Sequence, residues 1–250
     1  MLKNYKYLIF FAVLTITATF GAYTIAQNMD KFIDSDNDGL NDYQEKIFLH
    51  TDWNNSDTDA DGYLDGEEIA NGYSPFRPKV KNIDIDTDED GLNDDWEIKL
   101  GSDLMNKDTD GDGYADGAEV TNGYSPTIAG GQKVEKEIKV SKTQMQLKYY
   151  FDNILIRTIA VSTGKPSTPT PVGTFDIMAK VPVKNYIGAP NTKWNMHFAT
   201  VNGLRYYIHG AYWHNKFGIA NVSGGCINVP YAEMERLYEW TALGTKVTID

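Results

Sequence analysis

Tyr207-Ile208-His209-Gly210 and, with its cysteine 17 residues after the histidine, Ser223-Gly224-Gly225-Cys226-Ile227-Asn228-Val229-Pro230 are the two stretches that decide what this chain becomes. In each, aliphatic or aromatic residues surround one chemically active side chain, and glycine marks an edge, as in a short strand that presents one functional group. Leu204 to Ile208 and Cys226 to Val229 read as strands. Pro230 suits the first turn of a helix to about Trp240, with Met234, Leu237 and Tyr238 on one face. Upstream, Ile138–Ser141, Met145–Tyr150, Leu155–Val161 and Thr174–Lys180 are β-rich runs, and Lys246–Ile249 closes the chain with another. Asp152-Asn153 and a proline-rich loop from Gly164 to Gly173 separate them. The expectation is a mostly-β domain, 136–250, with one short helix after the cysteine.

Cys226 is the only cysteine among 250 residues, so no intrachain disulfide can form. A thiol near its reference pKa of about 8.5 is mostly protonated at neutral pH, and a nearby imidazole can take that proton. Glycines at 224 and 225 leave backbone N–H groups able to approach a developing oxyanion.

Tyr207 to Ile249 resembles the active-site region of YkuD-type L,D-transpeptidases: a His-Gly, then a Ser-His-Gly-Cys-hydrophobic-Asn/Arg motif. Ser162-Thr163-Gly164 with Thr170-Pro171-Val172-Gly173-Thr174-Phe175 resembles an upstream block of that family, and Trp213-His214-Asn215-Lys216-Phe217-Gly218 a common variant block. The resemblance implies Cys226 as nucleophile and His209 as its base. Gly210 offers a carbonyl that sets the imidazole tautomer, and Ser223 and Gly225 are motif positions. His214, Asn228 and His197 are implied on the substrate side. The implied activity is cross-linking of peptidoglycan stem peptides in the cell envelope, without a catalytic cofactor. A water acceptor would instead make an L,D-carboxypeptidase. Gly224 stands where the family motif has a histidine, which also leaves open a wall-binding protein with a decayed catalytic half.

The charge is −12 overall and unevenly spread. Asp30 to Pro126 holds 27 acidic and 7 basic residues, whereas Thr127 to Asp250 holds 8 acidic and 14 basic ones. That split predicts two domains, and the acidic total excludes a general nucleic-acid binder. The acidic segment, 30–126, is an internal repeat. Four windows starting at residues 34, 57, 86 and 108 read D-x-D-x-D-G-x-x-D-x-x-E. Positions 1 (Asp34, Asp57, Asp86, Asp108), 3 (Asp36, Asp59, Asp88, Asp110) and 5 (Asp38, Asp61, Asp90, Asp112) aim alternate carboxylates at one hard cation. Glycine at position 6 allows the turn, and position 7 (Leu40, Tyr63, Leu92, Tyr114) gives a carbonyl. Position 9 (Asp42, Asp65, Asp94, Asp116) often acts through water, and position 12 (Glu45, Glu68, Glu97, Glu119) can bind with both oxygens. All-oxygen donors point to structural Ca2+ rather than zinc. Full entering helices are not expected; short exit helices are, around Tyr43–Leu49 and Trp96–Leu100. The pattern, with Gly-Tyr-Ser-Pro closing each pair of windows, resembles bacterial thrombospondin type-3 repeats.

Two connecting segments remain. Residues 127–135, with Ile128-Ala129-Gly130-Gly131-Gln132, read as a flexible linker. Residues 1–29 read as one N-terminal hydrophobic helix: Lys3 and Lys6 precede an uncharged, mostly apolar run from Tyr7 to Ala26, long enough for a membrane anchor and also compatible with a cleaved signal peptide. Either places the remainder outside the cytoplasm.

Overall fold

The computed structural model describes residues 33–250. The expected N-terminal hydrophobic helix lies outside the described residues, and no described helix is long and apolar enough to cross a membrane. The chain divides into two compact units, one running to Lys107 and the other Asp108–Asp250.

The first unit is built from three acidic loops and their exit helices: α1 (Asp42–Gln44), continued by a π-helical turn over Glu45–Leu49, α2 (Asp65–Asn71) and α3 (Asp94–Leu100). Its small apolar cluster is Leu40, Leu49 and Leu104, packed by Ile69, Phe76 and Ile98. Two exit helices, α2 here and α4 (Asp116–Asn122) in the second unit, were not expected. Asp-Gly at their start reads as a turn rather than a helix. At Gly66 the tertiary context wins: an added Cβ would sit 2.3 Å from the Asp38 carbonyl oxygen, so only glycine permits that close approach.

The second unit begins with the fourth loop and α4, then forms two sheets. One has strand order β3-β2-β1-β9-β4, from β1 (Lys136–Ser141), β2 (Gln146–Phe151), β3 (Ile154–Ala160), β4 (Gly173–Asp176) and β9 (Lys246–Ile249). The other is β5-β6-β7-β8, from β5 (Ala179–Tyr186), β6 (Ala189–Val201), β7 (Leu204–Ala211) and β8 (Ile227–Pro230). β1 and β2 alternate between buried and more exposed positions, the pattern of strands with one face on a core. Helix α5 (Tyr231–Trp240) buries Met234, Leu237 and Trp240, and the Trp240 ring lies 4.8 Å from that of Tyr149 on β2. Tyr238, expected on that face, is only partly buried, and Pro230 is the cap residue rather than a member of the first turn.

The single strand expected over Thr174–Lys180 is two strands in different sheets. The Ile177 N–H donates to Thr245 O beside β9, and the next residue, Met178, donates to His197 O on β6. The chain changes sheets at that peptide, which a period-two apolar pattern does not register. Residues Ile128–Gln132, expected as a flexible linker, fold back on the fourth loop: Gly130 N–H donates to Asp112 Oδ2 (3.0 Å), and Ser125 N–H to Gln132 O (2.9 Å).

Candidate active site and cation loops

Parallel pairing of β7 with β8 puts His209 opposite Asn228. Two-residue alternation then sets Tyr207, His209 and Asn228 on one face, with Cys226 just ahead of β8. His209 is 3% exposed, and its Nδ1 lies 3.0 Å from the Gly210 carbonyl oxygen. A carbonyl only accepts, so Nδ1 carries the proton and Nε2 is left with a lone pair. Burial, reinforced by the charge of His214, draws the His209 pKa down to about 4, against the Gly210 hydrogen bond. Cys226 is partly exposed. Burial pushes its thiol up, opposed by a hydrogen bond from the Tyr207 backbone and by the charge of Lys184. Both groups are therefore neutral at rest: a thiol just ahead of β8 and an imidazole on the paired strand β7.

The turn that carries the thiol is held from both sides. Ser223 Oγ donates to Cys226 O (2.5 Å) and accepts from Gly225 N–H (3.0 Å). This corrects the expectation that the Gly225 amide is open to an oxyanion; it is committed to the serine. Gly225 itself is required, because its φ of +121° favours glycine and a Cβ there would meet Tyr206 Cε1 at 2.7 Å. Thr170 Oγ1 donates to Gly225 O (2.8 Å) and Thr168 Oγ1 to Ser223 O (3.1 Å), so the upstream Thr-rich block buttresses the nucleophile's turn. Gly224 is exposed, and a Cβ there meets nothing within 4 Å.

His214 joins this group. Its Nδ1 accepts from Lys216 N–H (3.1 Å) and its Nε2 lies 2.9 Å from the Asn228 side-chain amide. Asn228 Nδ2 is the atom placed against Nε2; because Nδ1 accepts and Nε2 then holds the proton, we assign the amide the reverse orientation, with Oδ1 accepting. Burial lowers the His214 pKa. His197 does not join them by hydrogen bond: its Nε2 is occupied by Ala199 O (2.9 Å) and Thr200 Oγ1 (3.0 Å). Its ring lies 5.1 Å from Tyr207. Sequence reasoning missed Tyr186, which stacks on His209 at 4.7 Å and 26° and whose OH donates to Asn195 (2.9 Å). It sits at the end of β5, where Pro182 and the flanking lysines Lys180 and Lys184 break the strand pattern.

The four acidic loops share one internal geometry. In each, the position-1, -3 and -5 aspartates place an oxygen within 4.8 Å of one another. Position 6 has φ between 97° and 100° and donates its N–H to the position-1 carboxylate at 2.9–3.2 Å. Asp36, Asp59, Asp88 and Asp110 each keep a buried Oδ2 with no hydrogen-bond partner, as do Glu45 and Glu68 at one oxygen and Glu119 at both. Burial and the surrounding aspartates push Glu45, Glu68 and Glu119 up to about 7. Orphaned carboxylate oxygens converging on an all-oxygen centre fit a hard divalent cation. Position 9 has another job. Asp42, Asp65, Asp94 and Asp116 accept with one oxygen from the backbone N–H, and with the other from the hydroxyl, of Ser35, Thr58, Thr87 and Thr109 at position 2. These carboxylates close the loop.

Residues 135–249 match the YkuD family model, the L,D-transpeptidase catalytic domain, and residues 34–55, 57–72, 86–103 and 108–123 match the bacterial TSP3 repeat. The chain thus carries a YkuD L,D-transpeptidase catalytic domain preceded by four bacterial TSP3 repeats. It is 41% identical over 86 residues to L,D-transpeptidase 1 of Mycobacterium tuberculosis, covering 30% of this chain and 34% of that protein. It is 29% identical over 136 residues to a Bacillus licheniformis protein named for L,D-transpeptidase YkuD, covering 53% of this chain and 78% of the relative. The solved L,D-transpeptidase from Mycobacterium smegmatis superposes with a TM-score of 0.43 at 24% identity, over 50% of this chain and 63% of that one. The match spans about a third of the length of the M. tuberculosis relative.

Proposed function

We propose that this protein is an extracytoplasmic peptidoglycan L,D-transpeptidase working through a Cys226 thioester, with calcium held by its acidic loops. The observation that carries the reading is the His209 Nδ1 contact to Gly210 O at 3.0 Å, which leaves the basic nitrogen available on the face that also bears the thiol's strand. His209 Nε2 takes the Cys226 proton as sulfur attacks the carbonyl of the third residue of a tetrapeptide stem. The tetrahedral oxyanion needs backbone donors. Because Gly225 N–H is tied to Ser223, the Cys226 N–H is the donor we assign. The proton passes from His209 to the departing D-alanine amine, leaving a thioester. An amine from a second stem then resolves it into a 3-3 cross-link, its proton returning through His209.

The aspartates at positions 1, 3 and 5, the position-7 carbonyls and the position-12 glutamates would hold the calcium ions, which rigidify the repeats. Incubation with a tetrapeptide stem and mass spectrometry of products is the test. D-Alanine release with a 3-3 dimer is expected; release with a free tripeptide would identify a water acceptor. A carbapenem, the acylating agent the family resemblance points to, should label the wild type once and Cys226→Ala not at all. Neither release nor labelling would leave the calcium-dependent wall-binding reading, which Gly224 favours.

A further inference from the structure

The two rings that flank the reactive pair share a cation. Lys184, on β5, is partly buried, with Nζ 5.6 Å from the Tyr186 ring centre and 5.2 Å from that of Tyr207. Tyr186 is the ring stacked on His209, and Tyr207 is the residue whose backbone hydrogen-bonds the Cys226 thiol. Among the second unit's other lysines, Lys139 and Lys246 pair with Glu137 and Glu135, and Lys136, Lys142 and Lys180 donate to carbonyl oxygens. Among the described residues no carboxylate pairs with Lys184. Aromatic faces hold an ammonium in place without neutralising it, so this one stays available to an anion. Its charge also reaches the sulfur, where it opposes the effect of burial.

We propose that Lys184 is the receptor for the free α-carboxylate of the residue expelled in the acyl-transfer step, and so selects donors that end in a C-terminal acid. This rests on the acyl-transfer reading above. One residue spans about 3.8 Å of chain, so a scissile carbonyl on Cys226 Sγ puts the leaving residue's carboxylate about 4 Å from the reacting carbon. No other anion of the donor is held so close to the thiol. A charge-assisted contact at this rim favours the acid over its amide, because the amide brings no charge to the ammonium. The rival role for Lys184, stabilising the thiolate, would act on every substrate alike.

The two roles separate in the full-length chain. Calorimetric binding of a tetrapeptide stem with a free C-terminal D-alanine, and of its C-terminal carboxamide, is measured with Cys226→Ala and with Cys226→Ala/Lys184→Gln. The lysine substitution should weaken the acid about tenfold or more and the amide by less than about twofold, and Lys184→Arg should restore the acid. With Cys226 intact, the pH profile of iodoacetamide alkylation should move to higher pH in Lys184→Gln, because the lysine charge opposes the effect of burial on the sulfur. That shift acts on acid and amide alike and leaves the acid preference as the deciding readout. Equal affinity of the Cys226→Ala protein for acid and amide, an equal loss of both on substitution, or an alkylation profile that moves without any acid preference would overturn the proposal. Acid preference through Lys184 in a protein that releases no D-alanine would instead refute the transfer reading and leave the receptor standing.

Discussion

At Cys226 and His209 the chemistry is that of a neutral pair, and its pH behaviour follows. His209 stays uncharged down to about pH 4, so its basic nitrogen is available throughout the neutral range. We expect activity to hold level from about pH 6 to 8 and to fall only as His209 charges. Cys226→Ala should be inactive, and Cys226→Ser nearly so. His209→Ala should leave a small rate that rises at alkaline pH as the raised thiol ionises unaided, measured as D-alanine release across pH. The same residue affects stability. Its folded pKa of about 4 lies below the reference value of 6.5, so the unfolded chain binds the proton more readily. The stability this brings is complete above about pH 6.5 and is lost as pH falls toward 4, of order 3 kcal/mol in all. His209→Gln should therefore unfold with a shallower pH dependence than the wild type over that interval in urea titrations; parallel curves would refute the assignment. Gly224→His introduces the family's histidine where a Cβ meets open space, so it should leave the melting temperature unchanged. A higher turnover in that variant would show that the glycine limits rate.

Among the elements, α4 and α5 end on the same ammonium. Lys136 is 6% exposed, and its Nζ donates to Val120 O (2.7 Å) and Thr121 O (3.0 Å) on α4 and to Trp240 O (2.5 Å) on α5. Burial and the charge of Lys180 draw its pKa down to about 7, while three carbonyl oxygens and the Trp240 ring at 4.8 Å hold the cation. A positive charge at helix C-termini satisfies carbonyls that have no partner within the helix. Lys136→Met would leave three acceptors unanswered, two of them buried, at a cost of about 2–4 kcal/mol. Thermal unfolding of an Asp108–Asp250 fragment should then shift down by about 5–10 °C. A shift below about 1 °C would mean the cation contributes only packing.

For the molecule as a whole, the fourth TSP3 repeat belongs to the same compact unit as the catalytic domain, and Lys136 shows how they are joined. Calcium and the catalytic domain should accordingly be linked in stability. An Asp108–Asp250 fragment should melt higher in calcium than in chelator, by about 2.7 kcal/mol when the ion is at 100 times its Kd. A Lys136–Asp250 fragment lacks the Val120 and Thr121 acceptors, and it should melt lower with no response to calcium. Identical calcium-independent melting of the two fragments would put the boundary back near residue 130. In the intact chain, chelation should also abolish the first unit's transition, since each loop gathers carboxylates that repel one another when no cation is bound.

Much of this was legible in the residues. The D-x-D-x-D-G period predicts the cation loops because each ligand lies within twelve residues of the next, so local spacing settles the geometry. The strands β1, β2, β3, β7, β8 and β9 and helix α5 follow from apolar periodicity, and His209 and Cys226 from their surrounding motifs. What only the tertiary structure decided involves partners far apart in sequence. The change of sheet at Ile177–Met178 depends on two acceptors, Thr245 and His197, that no local pattern reveals. Tyr186 reaches His209 because β5 and β6 form a long antiparallel pair beside β7. The turn that closes the Gly225 amide onto Ser223 Oγ is held by Thr168 and Thr170, each 55 positions from the carbonyl it donates to. Residues 127–135 look flexible by composition, yet the fourth loop offers Asp112 as an acceptor and the segment folds onto it. Local periodicity and ligand spacing are written in neighbouring residues, whereas hydrogen-bond partners 18 to 104 positions apart exist only once the chain has closed on itself.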